Sequence, residues 1–301
     1  KDVVMAAVAS GNLPYNLLQL ISKDLRADKE VVLAAVKDTG HALEHASKKL
    51  RADKDVVMAA VKISGYALVD ASKKLQGDKD VVLTAIKNDG GAINYASDEL
   101  KKELSNNREV VLSAVTSSGD ALMDFDDAFR SDKEVVMAAV ANDESCESEL
   151  FKSIDKKLQA DKEVILAAVK NYEPLLEFIS DKLIDKEVIL SALDGGDWDE
   201  DSLYIIFQYV GDDAPCWKDK SLCCELINWA ESCTTMGPRL IGASHPSLWT
   251  DKAFVTAMLE NLFDVAVEDY YYHAYAYTTP WTDCFDFDGF LEKLQNSPFI
   301  N

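Results

Sequence analysis

The chain has 301 residues, with 31 basic and 53 acidic side chains and a formal charge of −22. That sign argues against clamping nucleic acid or an anionic membrane surface and in favour of a basic partner. Apolar residues make up 48% of the chain, enough for a continuous core. No apolar run reaches the roughly 18 residues that a transmembrane helix needs.

In chain order, Lys1-Asp2-Val3-Val4-Met5-Ala6-Ala7-Val8 is the first copy of a recurring phrase, lacking only its leading Asp. The chain is therefore read as starting inside a repeat, with any targeting segment upstream. The full phrase is Asp28-Lys-Glu-Val-Val-Leu-Ala-Ala-Val, and it returns at Asp53, Asp78, Asp132 and Asp161. Asn107 and Asp185 open close variants, and the intervals from Asp28 to Asp185 are 25, 25, 29, 25, 29 and 24 residues. Self-similarity at this period marks a solenoid, in which each unit stacks only on its neighbours.

Residues 28–53 show what one copy dictates. Asp28 is an N-cap, its carboxylate accepting from free N–H groups of the first turn, and Glu30 complements the helix dipole. Val31 to Val36 is apolar all round, so the first helix is expected to be buried on several sides. Thr39-Gly40 is expected to end it, with Gly supplying a left-handed conformation. A second helix from about His41 to Leu50 places Ala42, Leu43, Ala46 and Leu50 on one face, and Glu44, His45, Lys48 and Lys49 on the other. The buried set should include Val32, Ala35, Val57, Ala60, Val82, Ala85, Val136, Ala139, Val164 and Ala168. In the 29-residue repeats the four extra residues add about one helical turn. They are expected to lengthen the second helix over Asn94–Leu104 and Glu144–Leu158.

The recurring Asp-Lys-Glu-Val-Val-Leu-Ala-Ala-Val, followed by Gly-x-Ala-Leu-x-x-Ala-Ser-x-x-Leu-Arg-x-Asp, resembles the domain of unknown function 4116 family. The resemblance is strong over residues 1 to about 193 and weak over 194–260. It implies a helical repeat scaffold and brings no established activity, ligand or catalytic residue.

His41-Ala-Leu-Glu44-His45 spells H-x-x-E-H, the zinc-binding order of one peptidase class. Its sister copies hold Tyr66 and Asp70, Gly91 and Tyr95, and Asp120 and Asp124 in place of the two His. The plainer reading is a variable exposed column, and no metal site is expected.

Beyond 193 the composition changes. Residues 194–301 carry 5 basic and 19 acidic side chains, all five Trp, seven of the eleven Tyr and five of the six Cys. Residues 1–193 are thus read as the regular array, and 194–301 as degenerate repeats closed by an acidic, aromatic-rich cap. Asp219-Lys220 and Asp251-Lys252 are two further helix starts. Asp197-x-Asp199-x-Asp201 and Asp286-x-Asp288 echo calcium loops but lack the closing carboxylate, so solvated loops are expected. Cys216, Cys223, Cys224, Cys233 and Cys284 form no C-x-x-C pair, which fits free thiols in a soluble, reducing compartment. Tyr270-Tyr-Tyr-His-Ala-Tyr-Ala-Tyr277 is either the apolar end of the array or an aromatic binding patch.

The sequence thus points to an all-α protein, an α-solenoid of 24–34-residue helical hairpins with an atypical C-terminal cap. It holds no complete catalytic constellation and no cofactor motif. The expected role is a non-enzymatic scaffold binding a protein with a basic surface, as an accessory subunit of a larger assembly. Candidate contacts are the variable positions of the second helix and, in the C-terminal third, Trp198, Trp217, Trp249, Tyr271 and Tyr275, with the alternative that these rings are core of the cap and the second-helix surface of the array is the binding face. The competing function is a regulatory or effector protein with catalytic activity in the C-terminal third.

Overall fold

Every repeat begins where a short side chain takes over the unpaired N–H groups of a first helical turn. Asp28 Oδ1 accepts from the backbone N–H of Glu30 and Val31 at 3.0 and 3.2 Å. Asp53, Asp78, Asn107, Asp132 and Asp161 do the same for the helices that follow them. The computed structural model describes residues 1, 4–6, 17–143, 148–194, 205, 206, 208–211, 214–230, 248, 251 and 254–256. The protein is an all-α repeat solenoid with no strand among the described residues. Two compact units divide it, Lys1–Leu158 and Gln159–Asn301.

In the first unit the capped helices are Lys29–Asp38, Lys54–Val61, Lys79–Asn88, Arg108–Ser117 and Lys133–Ala141. Each buries the same four positions: Val31, Val32, Ala35 and Val36 in the first, and their counterparts in the rest. Leu33 and Ala34 are half-buried, so one side of the helix borders solvent. All ten residues expected inside, from Val32 to Ala168, are buried.

The second helix differs from expectation. It is a 3₁₀-helix of six residues, Gly40–His45, and recurs as Gly65–Asp70, Gly90–Tyr95 and Gly119–Asp124. An α-helix running on to Leu50 would need Ser47 to bond four residues back. Instead Ala46 is extended, at φ −68° and ψ 155°. The Ser47 N–H then donates to the Arg26 carbonyl of the preceding repeat at 3.0 Å. Ser72 bonds to Arg51, Ser97 to Gln76 and Asp155 to Arg130 in the same way, at 2.8–2.9 Å. A bond between repeats thus displaces one within the helix.

The glycine that opens each 3₁₀-helix also has a different reason from the expected left-handed turn. The residue ending the first helix, Thr39, is extended at φ −140°. A Cβ on Gly40 would lie 2.7 Å from the carbonyl oxygen of Ala60 in the next repeat, and on Gly65 2.5 Å from that of Ala85. Gly90 and Gly119 meet Ala114 and Ala139 in the same manner. Glycine is required here by backbone contact between repeats, not by backbone torsion.

The four-residue insertion of the repeat that starts at Asp78 does not lengthen the second helix either. Gly90–Tyr95 keeps six residues, while the third element grows to seven, Asp98–Leu104, against four in Lys73–Gln76. In the other long repeat an α-helix over Glu149–Ser153 ends at an extended Ile154. In the first of these repeats the extra residues enter downstream of the inter-repeat bond at Ser97 and leave that bond and the 3₁₀-helix undisturbed, whereas in the second they precede the corresponding bond at Asp155.

The second unit holds helices Lys162–Asn171, Lys186–Asp194 and Lys220–Ala230, with 3₁₀ segments at Glu173–Phe178, Asp181–Leu183 and Pro215–Lys218. Asp219 accepts from Leu222 N–H at 2.9 Å and Asp251 from Phe254 N–H at 3.1 Å, so both expected helix starts are capped. Among the described residues, no helix is long and apolar enough to cross a membrane.

Candidate interaction surface

A 3₁₀-helix has three residues per turn, so its side chains fall into straight rows along the axis. In Gly40–His45 one row is Gly40 and Leu43, a second is Ala42 and His45, and a third is His41 and Glu44. The first is buried, the second buried to half-buried, and the third exposed. In the sister copies the outward row holds Tyr66 with Val69, Gly91 with Asn94, and Asp120 with Met123, flanked by Asp70, Tyr95 and Asp124. These residues vary freely because nothing in the core rests on them.

The strip carries unusual apolar exposure. Val69 is 51% and Tyr66 44% exposed, and Ile63 and Met123 are also open. Tyr66 and Tyr95, from adjacent repeats, meet edge to face with ring centroids 5.8 Å apart. Gly91 leaves room for this, since a Cβ there would stand 3.3 Å from the Tyr66 hydroxyl.

Charge separates the strip from the capped edge of the repeats. At that edge a cation one residue past each cap reaches the next repeat. Lys29 Nζ bonds Asp53 and Asp55, both at 2.8 Å, and Lys54 bonds Asp78 at 2.9 Å and Asp80 at 3.0 Å. Arg108 bonds Asp132 at 2.7 Å and Glu134 at 2.6 Å, while Lys79 turns to Glu103 at 2.7 Å. In the second unit Lys162 pairs with Asp185 and Lys220 with Asp251. The bonding cation holds Asp53, Asp78 and Asp132 below the usual carboxylate range.

The strip's carboxylates have no such neutralisation. Asp70, Asp89, Asp120 and Asp124 make no ion pair among the described residues. Burial, and then the nearby Glu44, push the Asp70 carboxyl up against the pull of Arg51, His41 and His45. Burial also raises Asp89, offset in part by the Gly91 N–H and reinforced by Asp120. Asp89, followed by desolvation and Asp120, raises the Tyr66 phenol. The strip is therefore an apolar and aromatic surface beside carboxylates that form no ion pair among the described residues, with the Lys101 ammonium donating to Asn94 of the outward row.

The residues singled out from sequence fall elsewhere. Trp217 is 1% exposed, and its indole N–H donates to the Gly211 carbonyl at 3.0 Å, so this ring belongs to the core. Trp198, Trp249, Tyr271 and Tyr275 lie outside the described residues, as do Cys233, Cys284 and both acidic loops. Cys216 and Cys223 are buried free thiols, and burial pushes Cys216 up to about 12. His41 is exposed and His45 half-buried. No cluster able to hold a metal occurs among the described residues.

The sequence does show Tyr66, Asp70, Tyr95, Asp120 and Asp124 as a variable column. The meeting of Tyr66 with Tyr95 is hidden, because it joins different positions of neighbouring repeats.

The family model described as Domain of unknown function (DUF4116) matches residues 1–51, 53–101, 107–159, 141–184 and 161–213. No curated protein and no solved structure matches the chain. Five overlapping or adjoining matches take in more than half of the molecule, including the capped helices, the 3₁₀ rows and the glycines described above, and the chain belongs to this DUF4116 family.

Proposed function

We propose that this protein is a non-enzymatic interaction scaffold that holds a protein with a basic surface. The observation that supports it is the outward strip of the first unit. Monomeric surfaces seldom leave contiguous apolar side chains open without a use for them. Here Tyr66 and Val69 are open in one repeat and Met123, the counterpart of Val69, two repeats further on, beside carboxylates that form no ion pair among the described residues. Rings and aliphatic groups supply affinity, while unpaired carboxylates speed and select the encounter. The regular array and its fixed inter-repeat bonds provide rigidity, which lowers the cost of binding.

A photo-crosslinking residue placed in turn at positions 66 and 123, with position 37 on the capped helix as control, tests this in extracts of the native cell. The expected result is a discrete adduct with one protein from 66 and 123 and none from 37. That partner should leave the complex with unchanged mass. Diffuse labelling from all three positions would remove the scaffold reading, and a covalently altered partner would remove its non-enzymatic part.

A further inference from the structure

Within the scaffold reading, on which this step rests, we propose that the strip seats an extended basic segment of the partner with cationic side chains at about every third residue. One of these cations lies on the Tyr66–Tyr95 pair.

The spacing follows from two lengths. Stacked helices stand about 8–10 Å apart, and an extended chain in the polyproline II conformation rises about 3.1 Å per residue with three residues per turn. One repeat therefore answers to one turn of such a chain laid across the stack, which turns every third side chain to the same face. Charge complementarity decides the occupant. Tyr66 and Tyr95 offer an open aromatic corner, and Asp89, Asp120 and Asp124 all act on the Tyr66 hydroxyl. A cation over a tyrosine face is attracted by the ring, and carboxylates within reach add to that attraction. Arginine suits the site better than lysine, because its planar group stacks on a ring while its N–H fork bonds an acid. An acidic or purely apolar segment would leave these carboxylates desolvated and unpaired, a penalty that excludes it.

The 3₁₀ geometry favours an extended occupant over a helix. Each repeat offers only a short outward row, and the rows recur across the stack. A polyproline II chain running across them meets each row with one turn. Val69 and Met123 then accept the aliphatic parts of intervening side chains.

The test uses the full chain and two labelled peptides of about 12 residues, the length that spans four repeats at the polyproline II rise. One peptide carries arginine at every third position. The other has the same composition, with its arginines consecutive. Fluorescence anisotropy at moderate ionic strength should show the spaced peptide binding more tightly. Tyr66→Ala should weaken it about five- to tenfold, the range of a partly desolvated cation–ring contact. Asp89→Asn with Asp120→Asn should weaken it too, whereas Asp55→Asn should not. Asp55 is paired with Lys29 at the capped edge and serves as the charge-matched control. Melting temperatures of all variants are measured alongside, and Tyr66→Phe, which keeps the ring, should retain binding.

Equal affinity for both peptides, or equal loss with Asp55→Asn, would reduce the effect to bulk charge and overturn the proposal. Absence of binding would overturn it as well. Should crosslinks from position 66 still capture one protein, the scaffold reading would survive and only the chemistry assigned to the partner would fall.

Discussion

At the scale of single residues, two glycines in neighbouring loops make opposite demands. A methyl group at position 65 would press on the Ala85 carbonyl and on Asp89 Cβ, at 2.5 and 2.6 Å, both parts of the next repeat that cannot swing away. Gly65→Ala should cost about 1–3 kcal/mol, in line with other overpacking substitutions. Gly77 sits at φ −100° with its nearest neighbour, Ser97 Oγ, 3.4 Å from a Cβ. Gly77→Ala should be neutral, or stabilise by up to about 1 kcal/mol through the unfolded chain. Denaturant melts of the two variants would separate close approach from mere loop composition. By the overpacking argument, Ala60→Leu and Ala139→Leu, both at fully buried positions, should also cost about 1–3 kcal/mol.

Acidic residues at the same scale set a pH profile with two limbs. Asp70 and Asp89 have raised folded pKa values, so the fold binds their protons more tightly than the unfolded chain does. Lowering pH towards those values relieves a cost and raises stability. Asp53, Asp78 and Asp132 are depressed by their Lys or Arg partners. Their contribution is present above the unfolded value, about 3.9, and is lost as pH falls through the folded one. Melting temperature should therefore rise modestly as pH falls towards the raised values of Asp70 and Asp89, and then drop in stronger acid. Asp89→Asn should flatten the rise, since the amide keeps the acceptor for Gly91 N–H while removing the charge. Lys54→Gln should make the acid drop shallower, by releasing Asp78 from its partner. A single monotonic fall, unchanged in both variants, would contradict this assignment.

At the scale of elements, the capped helix was legible in full and its companion was not. Asp28 and the Val-Val-x-x-Ala-Val pattern act within one turn or one face, so spacing alone reveals them. The six-residue 3₁₀-helix depends on Ser47 reaching Arg26 of the previous repeat, a distant bond that no local periodicity encodes. The stripe of Ala42, Leu43 and Ala46 was read correctly as buried, because a 3₁₀ row and an α face share those positions over so short a run. The ladder of Lys29, Lys54 and Arg108 was visible as the second letter of the recurring phrase, but its pairing is not legible within one repeat. Its partners appear once the repeats are stacked. These pairs are solvent-exposed, so they should fix register more than they add stability, and their effect should fade with salt.

At the scale of the whole molecule, a linear array confines damage. Stability in such proteins is close to a sum of repeat and interface contributions. Hydrogen exchange on Gly65→Ala should show amide protection lost across Lys54–Asn88, with Lys133–Ala141 close to the parent. Uniform loss throughout the first unit would indicate one cooperative block. The repeated architecture was readable from recurrence, and the variable second-helix surface was readable as a column that differs between copies. Composition drew attention to the aromatic C-terminal third, where Trp217 proves to be core. The exposed rings of the first unit are few, and composition passes over them.

The straight outward rows also bear on how such a chain can arise. When a repeat is copied, its caps, glycine and inter-repeat bond are inherited together, so the duplicate stacks at once. The two or three outward side chains lie outside the core and can drift at once. His41 and His45 in one copy against Tyr66 and Asp70 in the next illustrate that drift. New recognition can therefore be gained by duplication followed by a few surface changes, without a destabilised intermediate along the lineage. Exchanging residues 41, 44 and 45 for their counterparts 66, 69 and 70 would retrace one such step in the laboratory.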